Sequence, residues 1–445
     1  MNILLLNYNY YPHAWGGSEV YVHNWAKFLV SQGHSVTILA AVPVEKQKNI
    51  VFRDNILQMC FYDYEGIKVL GASLFNETID EIYSKYNSSW VQSWQNFFSQ
   101  IIPHQNFDWV HYNGYTGLIS TALAEGLQAA QQQAQLPTAK VIASYHTPIS
   151  CPNGKLLFHQ TTACSITPTV STCTSCVVNS LYNVPRFLGA ICSSLPTLSY
   201  PKLPTPLKMK FFVEKSLQSF HRLNALTQHW LVMSEEISQT IQRMGVDRGK
   251  ISMVRHGIHP DFIPKKPIQK PTNKITFAYM GRFETIKGVH TLLQAWLGLP
   301  KNTNNLPTEL LMIGELQSQN TFIQKWAEKA KADSSIRFLG NQKREKIIEI
   351  LQEVHCVIIP SEWVEIGPLV LHEAIASGAN IIASDIGGTK ELANYYSEGC
   401  TTFAQGNVID LQNKIRNFVY QPIAPKVQTQ TEHYEKIYQI ITTQL

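Results

Sequence analysis

The stretch "SEWVEIGPLVLHEAIASGANIIASDIGG", residues 361–388, decides how this sequence is interpreted. It follows "HCVIIP", a short apolar run rich in β-branched residues that is typical of a buried strand. The apolar segment after Pro368 ends at Gly378, which favours a helix with proline at its start and glycine at its end. The stretch therefore predicts strand, loop and helix, with Glu365 on the loop and Glu373 inside the helix.

The loop and the start of this helix have the properties of an anion site. The free backbone amides that open a helix attract negative charge, and here they lie around Gly367. The helix is apolar enough to be buried, so the carboxylate of Glu373 needs a partner. The rest of the chain has to indicate what that partner is.

The composition is that of a globular protein too long for one core. With 445 residues, of which 44% are hydrophobic and 16% charged, two domains are expected. The net charge of +5 is too small to indicate a nucleic-acid partner. The N-terminal "MNILLLNYNYYPH" is typical of a first strand and not of an export signal, and no apolar run is long enough to span a membrane. We therefore expect a cytoplasmic protein.

Strand-like apolar runs alternate with helical patterns along the chain, which is typical of parallel α/β sheets. Examples are "NILLLNY", "SVTILAAV", "KVIASYH", "ITFAYMG", "CVIIP" and "NIIASD". A segment rich in proline and lysine at 256–274 has the composition of a linker. We predict two doubly wound domains at 1–262 and 263–421. A long insertion at 150–206 and a C-terminal helix at 422–445 complete the prediction, and packing of that helix on the first domain is one option.

Polar residues at strand ends are the candidates for chemistry, because ligands of doubly wound folds bind outside the carboxyl ends of strands. Gly16 and Gly17 precede a helix and either let the backbone approach an anion or form a flexible turn. Arg282 and Lys287 in "YMGRFETIKG" either hold a diphosphate or form surface ion pairs. His146 also ends a strand, as a structural or a functional histidine.

Together these motifs resemble the retaining GT-B glycosyltransferases of family 4. The shared order is "GG" in the first strand–helix loop, "GR…KG" opening the second domain, then "EIGPLVLHE" and "GG…EL". Glu365 and Glu373 match the family's E-x7-E signature, its most specific element. The resemblance runs from Asn2 to about Phe418 and implies two Rossmann-like domains facing a cleft.

The resemblance implies a role for each residue of the signature. Glu373 is expected to accept hydrogen bonds from the ribose hydroxyls of the donor, and Glu365 to lie beside the hydroxyls of the donor sugar. The backbone at Gly367, Pro368 and Leu369 is expected to contact the same donor.

The remaining motifs are expected to complete the donor site. By the same resemblance, Arg282 and Lys287 hold the diphosphate, and Gly16 and Gly17 approach it from the first domain. His146 falls near a position that contacts the donor sugar or the acceptor in such enzymes.

The implied reaction moves a sugar from a nucleotide sugar (UDP-, GDP- or other) to a hydroxyl of a glycan or lipid-linked acceptor. The configuration at the sugar is retained, and no cofactor is needed because the two cations face the leaving diphosphate. Two other functions stay open. One is a non-catalytic scaffold that binds nucleotide sugars; the other is an NAD-dependent oxidoreductase, which the missing glycine fingerprint disfavours.

Four of the eight cysteines cluster in the insertion. The spacing of Cys151, Cys164, Cys173 and Cys176 ends in Cys-x2-Cys, a common element of tetrahedral thiolate sites. In a reducing compartment such a cluster indicates metal more than disulfides. We therefore predict a structural zinc site, with four unligated thiols as the alternative.

Residues 201–223 mix lysines with large apolar residues. Such a segment is either a core-packed helix with a solvated face or an amphipathic helix on the inner face of an anionic membrane. The first interpretation is favoured, and the second would make the protein peripheral to the membrane.

Overall fold

The computed structural model describes residues 1–14, 16–75, 78, 81, 85–159, 162–194, 205–265, 268–300, 302–303, 306–315, 321–424 and 427–444. The chain divides into two compact units. Unit 1 consists of Met1–Val232, Ile237–Val254 and Tyr434–Leu445, and unit 2 of Met233–Glu236 and Arg255–His433. Among the described residues, no helix is both long and apolar enough to cross a membrane.

Unit 1 is built on a nine-stranded sheet with the strand order β11-β10-β7-β6-β1-β2-β5-β4-β3. Its strands are β1 (Asn2–Asn7), β2 (Ser35–Ala41), β3 (Ile50–Arg53), β4 (Leu57–Tyr64), β5 (Ile67–Leu74), β6 (Trp109–Tyr112), β7 (Lys140–Ser144), β10 (His229–Val232) and β11 (Ile251–Met253). A separate small hairpin is formed by β8 (Leu157–Phe158) and β9 (Thr162–Ala163).

The helices of the first half of the chain and the last helix surround this sheet. They are α1 (Gly17–Ser31), α2 (Ser88–Ile101), α3 (Thr121–Gln133), α4 (Val170–Tyr182), α5 (Arg186–Ser194), α6 (Thr205–Leu226), α7 (Glu235–Arg243) and α14 (Gln430–Gln444).

Strand β1 is the centre of unit 1, with β2 and β6 parallel to it on either side. Its residues after Asn2 are all buried, as its run of aliphatic side chains predicts. Helix α1 packs on the sheet through Val22, Trp25 and Leu29, which follow the helical repeat. Tyr434, Ile437 and Ile441 of α14 join the same core, so the end of the chain is part of unit 1.

An antiparallel meander, β3 to β5, widens the sheet beyond β2, and the alternation of strands and helices did not predict it. The turn between β4 and β5 has Glu65 and Gly66 at φ 49° and 79°, as expected for a tight hairpin turn. The sequence "YDYEGIKV" therefore did carry a signal, namely a glycine turn flanked by strand-forming residues.

Unit 2 is built on a seven-stranded sheet with the order β13-β14-β12-β16-β17-β18, and β15 pairs with β14. The strands are β12 (Ile275–Met280), β13 (Asn302–Thr303), β14 (Leu306–Ile313), β15 (Ile336–Gly340), β16 (Cys356–Ile359), β17 (Asn380–Ser384) and β18 (Cys400–Phe403). The helices are α8 (Val289–Leu297), α9 (Thr321–Lys331), α10 (Arg344–Glu353), α11 (Leu369–Ala376), α12 (Gly387–Tyr396) and α13 (Val408–Arg416).

The order of strands in unit 2 reverses beside β12. The chain runs outward from β12 to β14 and β15, and then returns to place β16 on the other side of β12. The loops that follow β12 and β16 therefore leave the sheet next to each other. In open α/β sheets this reversal is where ligands bind.

Candidate active site

The loops after β12 and β16 meet through an ion pair between Lys287 and Glu365. The Nζ atom of Lys287 lies 2.7 Å from Oε1 of Glu365, and both side chains are largely removed from solvent. Ser361 donates a second hydrogen bond, also of 2.7 Å, to the same carboxylate oxygen. The ammonium lies 5.1 Å from the centre of the Trp363 ring, a cation–π distance. A single cation is thus held between a carboxylate and an aromatic face.

Glycines allow the backbones around this ion pair to approach each other closely. Gly288 adopts a φ of 65°, and a Cβ there would overlap the carbonyl oxygen of Pro360 at the end of β16. Gly388 donates its backbone N–H to the carbonyl oxygen of Glu365 at 2.8 Å, and a Cβ on Gly388 would lie 2.6 Å from that oxygen. The position of Glu365 is therefore set by the first turn of α12 as well as by Lys287.

Arg282 lies on the same loop as Lys287 but is not part of the pair. Its Nη1 atom is 2.7 Å from Oε1 of Glu284, and its side chain is 61% exposed. Tyr279 holds the backbone of Arg282 by donating its hydroxyl to the carbonyl oxygen at 2.7 Å. An exposed guanidinium on an anchored backbone can turn toward an anion at low cost, since a surface ion pair contributes little.

Glu373 occupies α11 with no partner among the described residues. The side chain of Glu373 is half-buried, and none of the described residues forms a hydrogen bond or an ion pair with it. Desolvation raises the pKa of Glu373 to about 7, and the positive charge of Arg344 opposes this shift only in part. A carboxylate in this state is ready to accept hydrogen bonds from a ligand, since an unpaired buried acceptor is costly.

The start of α11 is open in the way the sequence predicts. Pro368 is the residue before the helix, Leu369 is its first residue, and no side chain within the described residues caps it. The space beside Gly367 is tight, because a Cβ would lie 3.3 Å from Cβ of Met233 and 3.4 Å from Cδ2 of His256. The backbone amides at this end of α11 therefore remain available to an anion.

In unit 1, the two glycines at the start of α1 differ from each other. Gly16 is the residue before the helix, and a Cβ on it would lie 2.7 Å from Oε2 of Glu19, a buried side chain in the first turn. Gly17 would meet no atom within 4 Å. A side chain at Gly16 would therefore displace the end of the Glu19 side chain, while Gly17 leaves an open surface at the helix start.

His146 follows β7 and packs against α1. Its ring contacts Tyr21 edge-on, with 4.7 Å between ring centres. The structure thus brings His146 to the helix that Gly16 and Gly17 open, all within unit 1. The predicted contact of His146 with the donor sugar or the acceptor stays a prediction.

The four cysteines of the insertion lie near each other, and none of these four is in a disulfide bond. Burial raises the pKa of Cys173 to about 12, with further contributions from the neighbouring thiols Cys151, Cys164 and Cys176. In the described part of the chain, no three His, Cys, Asp or Glu side chains are arranged to hold a metal ion. The donor atoms fit zinc in kind, and the zinc site stays a prediction.

Ser361 and Trp363 are site residues that sequence reasoning did not select. Both flank the signature in "SEWVE", and only the fold shows that one binds Glu365 and the other faces Lys287. The indole Nε1 of Trp363 is buried and has no hydrogen-bond partner among the described residues. Side chains four and two positions before a motif glutamate carry no periodic signal that would identify them.

Family models match almost the whole chain. The model "Glycosyltransferase Family 4" matches residues 15–262, and "Glycosyl transferases group 1" matches residues 262–436. The two matches meet at the predicted linker.

Curated relatives share part of the sequence. A glycogen synthase of Mycobacterium tuberculosis (strain ATCC 25618 / H37Rv) is 28% identical over 193 residues, which are 43% of this chain and 44% of that protein. A D-inositol 3-phosphate glycosyltransferase of Corynebacterium urealyticum is 30% identical over 122 residues, 26% of this chain and 28% of that protein. The chain spans less than half of the length of these relatives.

Solved structures match over nearly the full length. A sucrose-phosphate synthase from Thermosynechococcus elongatus has a TM-score of 0.58 at 15% identity and covers 99% of this chain and 94% of its own. HepE of Anabaena, in complex with UDP and glucose, has a TM-score of 0.59 at 12% identity and covers 99% of both chains. At such identities the likeness shows the fold alone, and it confirms the predicted GT-B class. Since one family model matches more than half of the sequence, the chain belongs to Glycosyltransferase Family 4.

Proposed function

We propose that this protein is a retaining glycosyltransferase that moves a sugar from a nucleotide-sugar donor to a hydroxyl group during glycan, polysaccharide or glycolipid assembly. One observation carries the proposal. At the strand reversal of unit 2, Lys287 is paired with Glu365, while Glu373 of the same signature has no partner in the described part of the chain. The pair of Lys287 and Glu365 suits the diphosphate and sugar of the donor, and the carboxylate of Glu373 suits the two hydroxyls of a diol.

The donor class follows from the chemistry of these groups. A ribose offers two adjacent hydroxyl donors, which match the two oxygens of the Glu373 carboxylate. A diphosphate matches a compact cation such as Lys287 and a guanidinium such as Arg282. The complexes of HepE with UDP and glucose, and with UDP-glucose, support the same class.

Catalysis in this proposal rests on charge stabilisation. Negative charge builds on the diphosphate as the sugar leaves, and Lys287 and Arg282 supply positive charge there. Each well-placed group contributes on the order of 3 kcal/mol, by analogy with the loss of one oxyanion donor. Because side chains provide this charge, we propose transfer without a catalytic metal.

Retention is proposed to occur by attack on the face from which the diphosphate leaves. A double displacement needs a free carboxylate nucleophile. The carboxylate of Glu365 is bound by Lys287 and Ser361, which lowers its nucleophilicity. Its proposed task is to hold the sugar hydroxyls and the ammonium in place.

The test is the release of nucleotide from a panel of UDP-, GDP-, ADP- and TDP-sugars, with binding of each donor measured in parallel by calorimetry. Release from one donor that is lost in Glu365→Ala would support the transferase and name the donor. Tight donor binding without turnover, with an acceptor mixture supplied, would point to a scaffold. Binding of nicotinamide cofactors but of no nucleotide sugar would overturn the proposal.

We also propose that the four insertion cysteines bind a structural zinc ion. The ligand type supports this, as does the proximity that makes the thiols raise the pKa of Cys173. Elemental analysis of protein purified without added metal should find stoichiometric zinc, lost in Cys173→Ser with Cys176→Ser. Metal-free wild-type protein that is folded would overturn this proposal.

A further inference from the structure

Helix α5 and the end of α4 present an apolar surface to solvent. The exposed fractions of Phe187, Leu181 and Ile191 are 62%, 56% and 54%. Leu188 and Tyr182 are each 38% exposed. Single exposed apolar residues are common, but a group of this size on neighbouring turns marks a contact surface. We call these five residues the insertion patch.

The orientation of α5 is the reverse of that of an ordinary surface helix. Its small residues Gly189 and Ser193 are buried against α4. A Cβ on Gly189 would lie 2.6 Å from the carbonyl oxygen of Ser175, and Ser193 accepts a hydrogen bond of 3.1 Å from Ser171. Its large residues therefore face away from the protein. A helix that only completed a core would bury them instead.

The stretch of sequence that contains the insertion patch carries only basic charged residues. The sequence contains no Asp or Glu between Glu125 and Glu214, although the whole chain has 32. Arg186, which is exposed, opens α5 itself. Basic residues within the acid-free stretch are Lys140, Lys155, Arg186, Lys202, Lys208 and Lys210.

The basic segment at 201–223 is not itself the contact surface. Within α6, the apolar residues Met209, Phe212, Leu217 and Phe220 are all buried in unit 1. The core-packed interpretation therefore holds for the described part of this segment. The lysines of α6 contribute positive charge, whereas the exposed apolar side chains belong to α5 and the end of α4.

We propose that the insertion patch inserts into the headgroup region of an anionic membrane. Apolar side chains on a short helix, in a stretch of sequence whose charged residues are all basic, are the combination that such a surface binds. The absence of acidic residues from this stretch of sequence favours an anionic membrane over a protein surface of mixed charge. The inference goes beyond the proposed transferase function and does not depend on it.

The test is co-sedimentation of the full chain with vesicles of phosphatidylcholine and phosphatidylglycerol in equal amounts, against vesicles of phosphatidylcholine alone. Wild-type protein should bind the anionic vesicles, less so as salt rises. Phe187→Ser with Ile191→Ser should lower the partition coefficient by about tenfold or more. Arg186→Gln, which leaves the apolar residues in place, should lower it by about fivefold.

Ile409→Ser with Val419→Ser is the matched control, since these residues are 69% and 64% exposed in unit 2. It should sediment like the wild type. The proposal is overturned if wild-type protein ignores anionic vesicles at low salt, or if the patch variant and the control sediment alike. It is also overturned if light scattering shows a dimer that the patch variant alone dissociates, because the patch would then join two copies.

Discussion

Glu365 and Glu373 belong to one strand–loop–helix segment, yet the fold treats them in opposite ways. The Oε1 atom of Glu365 is bound by both Lys287 and Ser361, each at 2.7 Å. Glu373 has no partner in the described part of the chain, and desolvation raises its pKa to about 7. We infer from this difference that Glu365 is held in place before a ligand binds, whereas Glu373 gains its partner only from the ligand.

The largest effect is expected on turnover, when the ion pair between Lys287 and Glu365 is broken. Lys287→Ala removes the cation from the proposed diphosphate site and leaves Glu365 with only its hydrogen bond from Ser361, so turnover should fall by about 100-fold to 1000-fold. Nucleotide release at saturating donor measures it. Lys346→Ala is the control, because that lysine pairs with Glu349 on the exposed surface of α10. Equal turnover in the two variants would contradict the role of Lys287.

The loops after β12 and β16, which hold Lys287 and Glu365, approach each other closely, and this contact gives a second test. Gly288→Ala should destabilise unit 2 by about 3 kcal/mol, because its Cβ overlaps the carbonyl oxygen of Pro360. Gly340→Ala has a similar φ of 66° with no atom within 4 Å and should cost about 1 kcal/mol. Urea unfolding measures both. Equal losses would show that the backbone angle matters and the close approach does not.

Glu373, which has no partner among the described residues, should make the stability of the protein depend on pH. The pKa of Glu373 is about 7 in the folded protein, against an ordinary value of 4.5. The folded state therefore holds the proton more tightly, and the stability this contributes is present below pH 4.5 and lost as pH rises to about 7. The loss should be at most about 2 kcal/mol after discounting for partial exposure.

Chemical unfolding at about pH 5 and about pH 8 compares the wild type with Glu373→Gln. The glutamine variant should lack this part of the pH dependence. An unchanged difference between the two pH values would show that Glu373 is already ionised in the folded protein.

The smallest effect is expected on donor affinity. Glu373→Gln should weaken binding of the nucleoside diphosphate by about tenfold, since a charged acceptor is replaced by a neutral one. In the wild type the affinity should fall as pH drops below about 7 and the carboxylate is protonated. Calorimetry across this range checks both statements. A glutamine variant with the same pH slope would place the titrating group elsewhere.

Much of the fold was predictable, because local patterns encode local structure. The aliphatic runs of β1, β12 and β16 are buried strands, as predicted. The start of α11 after Pro368 also agrees with the pattern of proline and apolar residues. The meander β3–β5 was missed although its glycine turn was visible, because a search for alternating strands and helices passes over antiparallel neighbours.

The candidate site was predictable as a set of residues and not as a set of contacts. Lys287 and Glu365 are 78 positions apart, and no local pattern relates them. Arg282, chosen for the same reason as Lys287, pairs with Glu284 instead. Which cation meets the carboxylate depends on the adjacency of β12 and β16, which is a property of strand order.

Helices α5 and α6 show most clearly what the sequence determines and what the tertiary structure decides. The pattern of residues 201–223 predicted a helix where α6 lies, whereas the sequence predicted no helix for α5, which falls inside the insertion at 150–206. Only the tertiary structure decided that α6 buries its large side chains whereas α5 turns Phe187 and Ile191 outward. The reason is physical: periodicity sets which residues share a face of a helix, but what that face contacts depends on the elements that the chain topology places beside it.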